Sequence, residues 1–283
     1  MTDTRHPMSS EVAPVIAFLG AGNMASAMVS GLIAEGTSPS QLRASDPSEA
    51  ALSHLEAMGL SQLSTSPDKL FEDADLVVAA VKPQVIPAAL TAIRDQLGPR
   101  TALLSIAAGI PISSLESLLG EDVAIIRCMP NTPAMIGLGA SALFAADSVS
   151  AARRELAEKV TNAAGNTVWV SDEELLDAVT AVSGSGPAYF FALIEAIART
   201  GMELGLEEEV AMALTVQTAL GAASLAAQAN EPVATLRENV TSPGGTTAQA
   251  LQSLQANDFD AVVAKAVRQC AARAKALGEE FGW

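Results

Sequence analysis

Two glycine-rich turns contain the residue types in this sequence that bind anions. The first, GAGNMA at residues 20–25, follows a run of apolar residues and precedes apolar residues at helical spacing. The second, TSPGGTT at residues 241–247, combines glycines with hydroxyl groups and also precedes a helical pattern. The start of a helix offers free N–H groups and a positive dipole end, so each turn predicts a site for a negatively charged group. The second turn would suit a small carboxylate and a polar nitrogen, or it is an ordinary helix cap.

The first turn has the spacing of a dinucleotide-binding motif. Gly20 allows the tight turn, Gly22 lets the backbone approach a pyrophosphate, and Ala25 permits close packing of a helix on a strand. The motif lies at the first strand-to-helix junction of an alternating series, which favours a dinucleotide site. The alternative is a tight turn that closes an α/β unit and binds nothing.

Three later positions follow predicted strands and therefore point toward the same crevice. Asp46 ends the second strand, where a carboxylate commonly accepts hydrogen bonds from the ribose 2′-OH and would repel the additional phosphate of NADPH. It could equally be a turn former before Pro47. Lys82 could approach cofactor phosphate or ribose, or simply be solvated. The small side chains of residues 107–109 would leave room for a flat ligand.

Few side chains in this sequence could transfer a proton. The only histidines are His6, in the terminal segment, and His54, on the second helix, and no lysine lies between Lys159 and Lys265. The helical half supplies only Tyr189, within an apolar run. Reduction of a carbonyl usually needs a general acid, whereas the nitrogen of a protonated imine already holds its proton. The inventory therefore favours imine reduction over carbonyl reduction.

The elements that must position these residues fall into two halves. The first half alternates strands and helices, which is typical of an α/β fold with a parallel sheet. After residue 170 the strand signal disappears, and the rest reads as helices, interrupted at residues 183–187. We predict a flexible N-terminus over 1–14, a Rossmann-type dinucleotide-binding domain over 15–170 and an all-helical domain over 171–283. The predicted strands are 15–19, 41–45, 75–81, 101–106, 123–128, 140–145 and 167–170.

Composition excludes several classes of partner. The chain has 283 residues and a formal net charge of −16, which argues against nucleic acid and anionic membranes because both are bound by clustered Lys and Arg. Residues 210–230 contain no charge and could span a bilayer by length alone, but several Gln, Thr and Ser residues lie within them. We predict a helix buried by protein there, at a subunit interface. Cys128 and Cys270 show no metal-type spacing, and the N-terminus lacks the apolar core of a signal peptide, so we expect a cytoplasmic protein without a metal site.

Taken together, these stretches resemble the pyrroline-5-carboxylate reductase family from about residue 15 onward. The matching segments are GAGNMA, AVKP at 80–83, SIAAGI at 105–110, MPNTP at 129–133, DAVTAVSGSGPAY at 177–189 and TSPGGTT. The resemblance implies an NADPH- or NADH-dependent enzyme that reduces a cyclic imino acid to proline. It also implies a Rossmann-type domain followed by a helical domain that interlocks with a second subunit, in a homodimer that assembles further.

The resemblance also implies a role for individual residues. The substrate would be held by Ser242, Gly245, Thr246 and Thr247, with backbone N–H groups on the carboxylate and the Thr247 hydroxyl near the ring nitrogen. Glu173 is a further substrate candidate, from the neighbouring subunit. The residues expected to contact the cofactor are Gly20, Gly22, Asn23, Met24, Ala80, Val81, Lys82, Pro83, Ala107, Ala108, Gly109 and Asn239.

Cofactor choice is the point at which the chain departs from the family pattern. Many members place a small hydroxyl or a basic residue at the end of the second strand, where this chain has Asp46. We therefore predict a preference for NADH. Two other classes remain as alternatives. One is a related enzyme, either an imine reductase or a β-hydroxyacid dehydrogenase, and the latter would place a catalytic lysine early in the helical half. The other is a dinucleotide-sensing protein without enzymatic activity.

Overall fold

The computed structural model describes residues 13–281, so the predicted flexible N-terminus falls almost wholly outside the described residues. The chain divides into two compact units. The first extends to Gly184 and also includes the chain end from Ala272, and the second is Ser185–Ala271.

An eight-stranded sheet forms the centre of the first unit, with strand order β3-β2-β1-β4-β5-β6-β7-β8. All neighbouring strands are parallel except β6 and β7. The first six strands have the order of a Rossmann sheet, as predicted. The strands are β1 (Ile16–Leu19), β2 (Leu42–Ser45), β3 (Gln62–Ser64), β4 (Leu76–Ala79), β5 (Ala102–Ser105), β6 (Ala124–Met129), β7 (Gly139–Ala145) and β8 (Gly165–Trp169).

Helices cover both faces of this sheet, which explains the unbroken apolar runs of the central strands. Ile16 and Phe18 of β1 point into one apolar layer, which includes Met28. Ala17 points into the opposite layer, which includes Ile86. The helices of this unit are α1 (Asn23–Ala34), α2 (Glu49–Ala57), α3 (Ile86–Ile93), α4 (Ile112–Leu119), α5 (Ala151–Asn162) and α6 (Leu175–Val179).

Three elements of this unit were not predicted. Strand β3 is short and only half-buried, so it has no apolar run to reveal it. Helices α3 and α4 have eight residues each, about two turns, which is too short for a clear helical period. β7 is antiparallel to β6 because a short loop returns the chain directly, without a crossover helix.

The second unit is helical, as predicted. It contains α7 (Gly186–Glu203), α8 (Glu208–Gln228), α9 (Val233–Asn239), α10 (Thr246–Ala256) and most of α11 (Phe259–Phe281). The predicted interruption before α7 is a π-helical turn over Thr180–Gly184, so helical hydrogen bonding continues in a wider form. α10 begins at Thr246, two residues before the predicted start at Ala248.

The compact units divide at Gly184, whereas the sequence suggests a domain boundary near residue 170. The sheet does end there, since the last residue of β8 is Trp169. The following segment packs with the first unit because Glu173 accepts hydrogen bonds from Ile112 and Arg127. The end of α11 rejoins the first unit, so the first unit consists of two separate segments of the sequence, whereas the second is continuous.

Within residues 13–281, two helical stretches are long and apolar enough to cross a membrane by length and composition alone, Leu175–Glu203 and Glu208–Gln228. The second coincides with most of the uncharged segment predicted to be covered by protein. Only 17% and 11% of their most apolar windows are buried within the chain itself. The single chain therefore leaves these helices largely uncovered.

Candidate active site

The carboxyl ends of β1 and β4 meet at the point where the order of the sheet reverses. There the Gly20 N–H donates to the Ser45 carbonyl at 2.8 Å, and the Ala80 N–H donates to the Leu19 carbonyl at 2.8 Å. Ligands of doubly wound sheets bind at this switch point. The structure thus brings the GAGNMA turn and the segment that begins at Ala80 to one crevice.

Gly20 is required by both conformation and space. Its φ is +103°, a backbone conformation that residues with a Cβ rarely adopt. A Cβ at this position would lie 2.7 Å from the Ala80 carbonyl oxygen and 2.9 Å from Cγ1 of Val81. The tight turn between β1 and α1 therefore depends on this glycine.

Gly22 serves a different purpose, because the space around it is open. It is the N-cap of α1 with a φ of −71°, and a Cβ there would meet no protein atom within 4 Å. Its helix has no side-chain cap and no acidic residue in the first turn. The first backbone N–H groups of α1, including those of Asn23 and Met24, have no partner within the helix. This arrangement fits the pyrophosphate of a dinucleotide.

The Asp46 carboxylate joins the end of β2 to the glycine turn. One oxygen, Oδ2, accepts from the Ala21 N–H at 2.8 Å, and Oδ1 accepts from the Ser48 N–H at 2.8 Å. The side chain is half-buried and stands beside the turn that would hold the pyrophosphate. It is more than a turn former before Pro47, and its contact with a ribose stays a prediction.

The remaining cofactor candidates of the first unit follow β4 and β5. Lys82 is exposed and begins a short 3₁₀ turn whose first residue is Pro83. Ala107 is buried, Ala108 is partly exposed, and Gly109 has a φ of +78°. Parallel pairing places the ends of β4 and β5 side by side, since Ala79 is in register with Ser105.

An ion pair between a buried arginine and a partly exposed glutamate lies at the carboxyl end of β6, and the sequence predictions gave the arginine no role. Arg127 is 9% exposed, and its Nη1 donates to Glu173 Oε1 at 2.8 Å. The same oxygen accepts from the Ile112 N–H at 2.7 Å. A charged residue inside the apolar strand AIIRCM is the signal that could have identified Arg127, because a buried arginine requires a partner. Glu173 is thus engaged within its own chain, and its predicted contact with substrate stays a prediction.

Asp177 belongs to the same electrostatic neighbourhood. Burial raises the pKa of this carboxyl, while the positive charges of Arg127 and Lys275 act in the opposite direction.

The Asn131 amide spans the rigid loop predicted from its flanking prolines. Its Nδ2 donates to the Ser183 carbonyl at 3.0 Å, and its Oδ1 accepts from the Ala140 N–H at 2.8 Å.

The TSPGGTT turn lies in the second unit. Gly245 is the N-cap of α10 and its N–H donates to the Ser242 carbonyl, while Gly244 has a φ of +71°. α10 has no side-chain cap and no acidic residue in its first turn. Ser242, Thr246 and Thr247 are exposed, so their hydroxyl groups are accessible at a helix start that favours an anion. Asn239, at the end of α9, also belongs to this unit and is exposed.

The two cysteines lie in different units of the chain, Cys128 in the first and Cys270 in the second. Burial raises the pKa of the Cys128 thiol to about 12, which keeps it protonated. Cys270 Sγ lies 3.2 Å from Ser185 Oγ.

A hydrogen bond with Cys270, together with burial, raises the pKa of the Tyr189 hydroxyl, so Tyr189 stays protonated at neutral pH.

Comparison with known proteins agrees with this arrangement in both halves. A family model described as pyrroline-5-carboxylate reductase dimerisation matches residues 173–277, and one described as NADP oxidoreductase coenzyme F420-dependent matches residues 15–109. The pyrroline-5-carboxylate reductase of Pseudomonas aeruginosa is 47% identical over 95% of this chain and 98% of its own length. This chain belongs to the pyrroline-5-carboxylate reductase family.

Solved structures of pyrroline-5-carboxylate reductases have the same fold. The Coxiella burnetii enzyme superposes with a TM-score of 0.89 at 38% identity, over 93% of this chain and 98% of that one. The Plasmodium falciparum enzyme, whose structure contains NADP, superposes with a TM-score of 0.82 at 31% identity, over 94% and 98%. The family resemblance read from the short motifs is therefore confirmed over nearly the whole chain.

Proposed function

We infer that this chain reduces 1-pyrroline-5-carboxylate to L-proline, the last step of proline biosynthesis, with a hydride from NADH or NADPH. Family membership supports this reaction across both halves of the chain. The structural observation that carries it is the uncapped start of α10, where exposed hydroxyl groups surround free N–H groups. Such a site suits a substrate with one carboxylate and one polar ring nitrogen.

The substrate would be bound by the TSPGGTT turn. Backbone N–H groups at Thr246 and Thr247 would bind the carboxylate, in the field of the α10 dipole. Gly245 would line the site as the N-cap of α10, since its own N–H donates to the Ser242 carbonyl. The Thr247 hydroxyl would hydrogen-bond the ring nitrogen and fix the face of the ring, with Ser242 beside it. These residues orient the imine, and they need not ionise.

The residues present fit a reaction without a strong general acid. A bound reduced nicotinamide supplies the hydride, which adds to the imine carbon. The π electrons of the C=N bond move to the nitrogen, which already holds a proton, and a secondary amine results. The hydroxyl groups of Ser242 and Thr247 stabilise the N–H group by hydrogen bonding.

The cofactor would occupy the crevice at the carboxyl ends of β1 and β4. Gly22, Asn23 and Met24 would bind the pyrophosphate through their backbone, because the space at Gly22 is open. The other residues proposed to contact it are Gly20, Asp46, Ala80, Val81, Lys82, Pro83, Ala107, Ala108, Gly109 and Asn239.

We propose that NADH is preferred over NADPH. The Asp46 carboxylate is fixed beside the glycine turn by the Ala21 and Ser48 N–H groups. A fixed negative charge there can accept from a ribose hydroxyl but repels a 2′-phosphate. The structure of the Plasmodium falciparum relative contains NADP, so that relative does not support the preference, which is argued from Asp46 of this chain alone.

We propose a homodimer that assembles into a higher homo-oligomer through residues 171–283. The dimerisation family model over residues 173–277 and the uncovered apolar side chains of α7 and α8 support this assembly. An acidic chain whose apolar helices are covered by a second copy would function in the cytoplasm, without nucleic acid or membrane partners.

The direct test is turnover of 1-pyrroline-5-carboxylate by the purified protein. Loss of reduced-nicotinamide absorbance and formation of proline should proceed in equal amounts, with either cofactor. A folded protein that binds cofactor but forms no proline would contradict the proposed reaction. Proline should also raise the thermal stability of the cofactor complex, because a ligand of the native state stabilises it.

A further inference from the structure

The loop between β5 and α4, residues 106–111, is anchored after its centre by Ile110, which is fully buried in the core. Its central residues, Ala107, Ala108 and Gly109, provide only two methyl groups. Gly109 has a φ of +78°, a backbone conformation that residues with a Cβ rarely adopt. The conformation of these central residues therefore depends on the segments that contact the loop as well as on Ile110.

One restraint acts just after the loop, at the start of α4. The Ile112 N–H, one of the unsatisfied donors at a helix start, donates to Glu173 Oε1 at 2.7 Å. Arg127 donates to the same oxygen at 2.8 Å and neutralises the carboxylate. The Glu173 side chain is 27% exposed and that of Arg127 is 11% exposed, so the pair is partly shielded from bulk water. Glu173 thus links the start of α4 to the end of β6.

A second restraint acts inside the loop and comes from the last turns of α11. A Cβ on Gly109 would lie 3.3 Å from the Gly278 nitrogen, and a Cβ on Gly278 would lie 3.2 Å from the Gly109 carbonyl oxygen. Both distances are shorter than ordinary van der Waals contact to a Cβ. The two backbones therefore approach closely because both positions are glycine.

Both restraints act at the C-terminal end of the segment expected to contact the cofactor, one at Gly109 and one at Ile112. We propose that Glu173 and Gly278 are positioning residues that hold the Ala107–Gly109 segment in the conformation that binds the cofactor. This inference rests on the proposed function, since it assigns the loop to NADH or NADPH. In this proposal, Glu173 acts through Ile112 and Arg127 and does not contact the substrate.

The first test compares Glu173→Ala, Glu173→Gln and the control Glu174→Ala in the full-length protein. Glu174 is the exposed neighbour and has the same side chain. Cofactor affinity is measured by titration with NADH and NADPH without substrate. Loss of a charge-assisted hydrogen bond should weaken binding about tenfold in Glu173→Ala. The amide oxygen of Glu173→Gln can still accept from Ile112, so most of the affinity should return, and Glu174→Ala should bind like the unmodified protein.

The second test uses Gly278→Ala with Glu279→Ala as its control. Alanine favours a helix over glycine, so without the contact Gly278→Ala would maintain or raise the melting temperature and leave cofactor binding unchanged. With the contact, the new methyl group displaces the Gly109 carbonyl. Cofactor affinity should then fall several-fold while the protein stays folded. Glu279 is exposed, and its removal should change neither property.

Two results would overturn the proposal. Unchanged cofactor affinity in folded Glu173→Ala and Gly278→Ala would show that the loop holds itself. A higher KM for 1-pyrroline-5-carboxylate in both Glu173 variants, with unchanged cofactor affinity, would make Glu173 a substrate ligand instead. Failure of the unmodified protein to form proline would contradict the proposed function alone, because the cofactor titrations do not depend on turnover.

Discussion

Thr247 is the residue on which the proposed chemistry depends most. It lies in the first turn of α10, is exposed, and brings a hydroxyl group to a helix start without another cap. A substitution of Thr247 should therefore affect the orientation of the substrate without affecting cofactor binding, since the glycine turn of α1 belongs to the other unit.

Thr247→Ala should reduce kcat by roughly 100-fold, the usual effect of removing one donor to a reacting centre. The affinity for NADH should stay within about twofold, because no cofactor contact is lost. Thr247→Ser restores the hydroxyl and should recover most of the activity. Equal losses in turnover and cofactor affinity would place the substrate elsewhere.

Asp46 combines a structural and an electrostatic role in one carboxylate, so the two must be tested separately. Asp46→Asn keeps an oxygen that can accept from Ala21 but removes the charge. Asp46→Ser removes both. If repulsion of a 2′-phosphate sets cofactor choice, both variants should raise the ratio of NADPH to NADH specificity, by about tenfold for a change near 1.4 kcal/mol. An unchanged ratio in kcat/KM would show that Asp46 points away from the ribose.

The junction of β1 and α1 contains two glycines, and glycine is needed at each of them for a different physical reason. Gly20 has a positive φ and no room for a Cβ, whereas Gly22 has an ordinary φ and open space around it. The first therefore supports the fold, and the second leaves room for a ligand. A pair of alanine variants can distinguish these roles.

Gly20→Ala should destabilise the protein by several kcal/mol, because it combines a left-handed conformation with a backbone collision (about 1–2 kcal/mol from conformation alone). Gly22→Ala should leave the melting temperature unchanged but weaken NADH binding roughly tenfold or more, since its methyl group would occupy the space of the pyrophosphate. Thermal unfolding and cofactor titration measure both effects. Full cofactor affinity in Gly22→Ala would move the pyrophosphate away from this turn.

At the scale of the whole molecule, the second unit exposes more apolar surface than a monomer usually tolerates. Phe190 is 63% exposed, Leu214 is 57% exposed and Leu225 is 67% exposed, all on α7 or α8. Large exposed apolar patches mark interaction surfaces. The dimerisation family model over residues 173–277 covers both helices.

Leu214→Glu should therefore weaken self-association by roughly 30-fold, the effect of about 2 kcal/mol at a central interface position. Light scattering across a concentration series would detect the shift toward monomer. Val85→Glu is the control, because Val85 is 46% exposed but lies in the first unit. An unchanged mass for Leu214→Glu would exclude this face of α8 from the interface.

Much of the fold follows from local sequence patterns. The buried strands of the sheet are recognisable as unbroken apolar runs. Gly20 and Gly22 mark the turn because their spacing reflects backbone geometry within six residues. The helical half was equally evident, since helices form from contacts three or four residues apart. β3 and the short helices α3 and α4 were missed because three residues of a strand and eight of a helix are too few to establish a clear hydrophobic period.

The sequence by itself thus determined the Rossmann-type fold, the positions of the two glycine-rich turns and the family. Only the tertiary structure decided which remote groups meet: Glu173 with Ile112 and Arg127, and Gly109 with Gly278. These pairs are separated by 46 or more positions along the chain. No periodicity links residues at such distances, because their contact depends on the packing of whole elements, whereas turns and helices are set by the nearest neighbours.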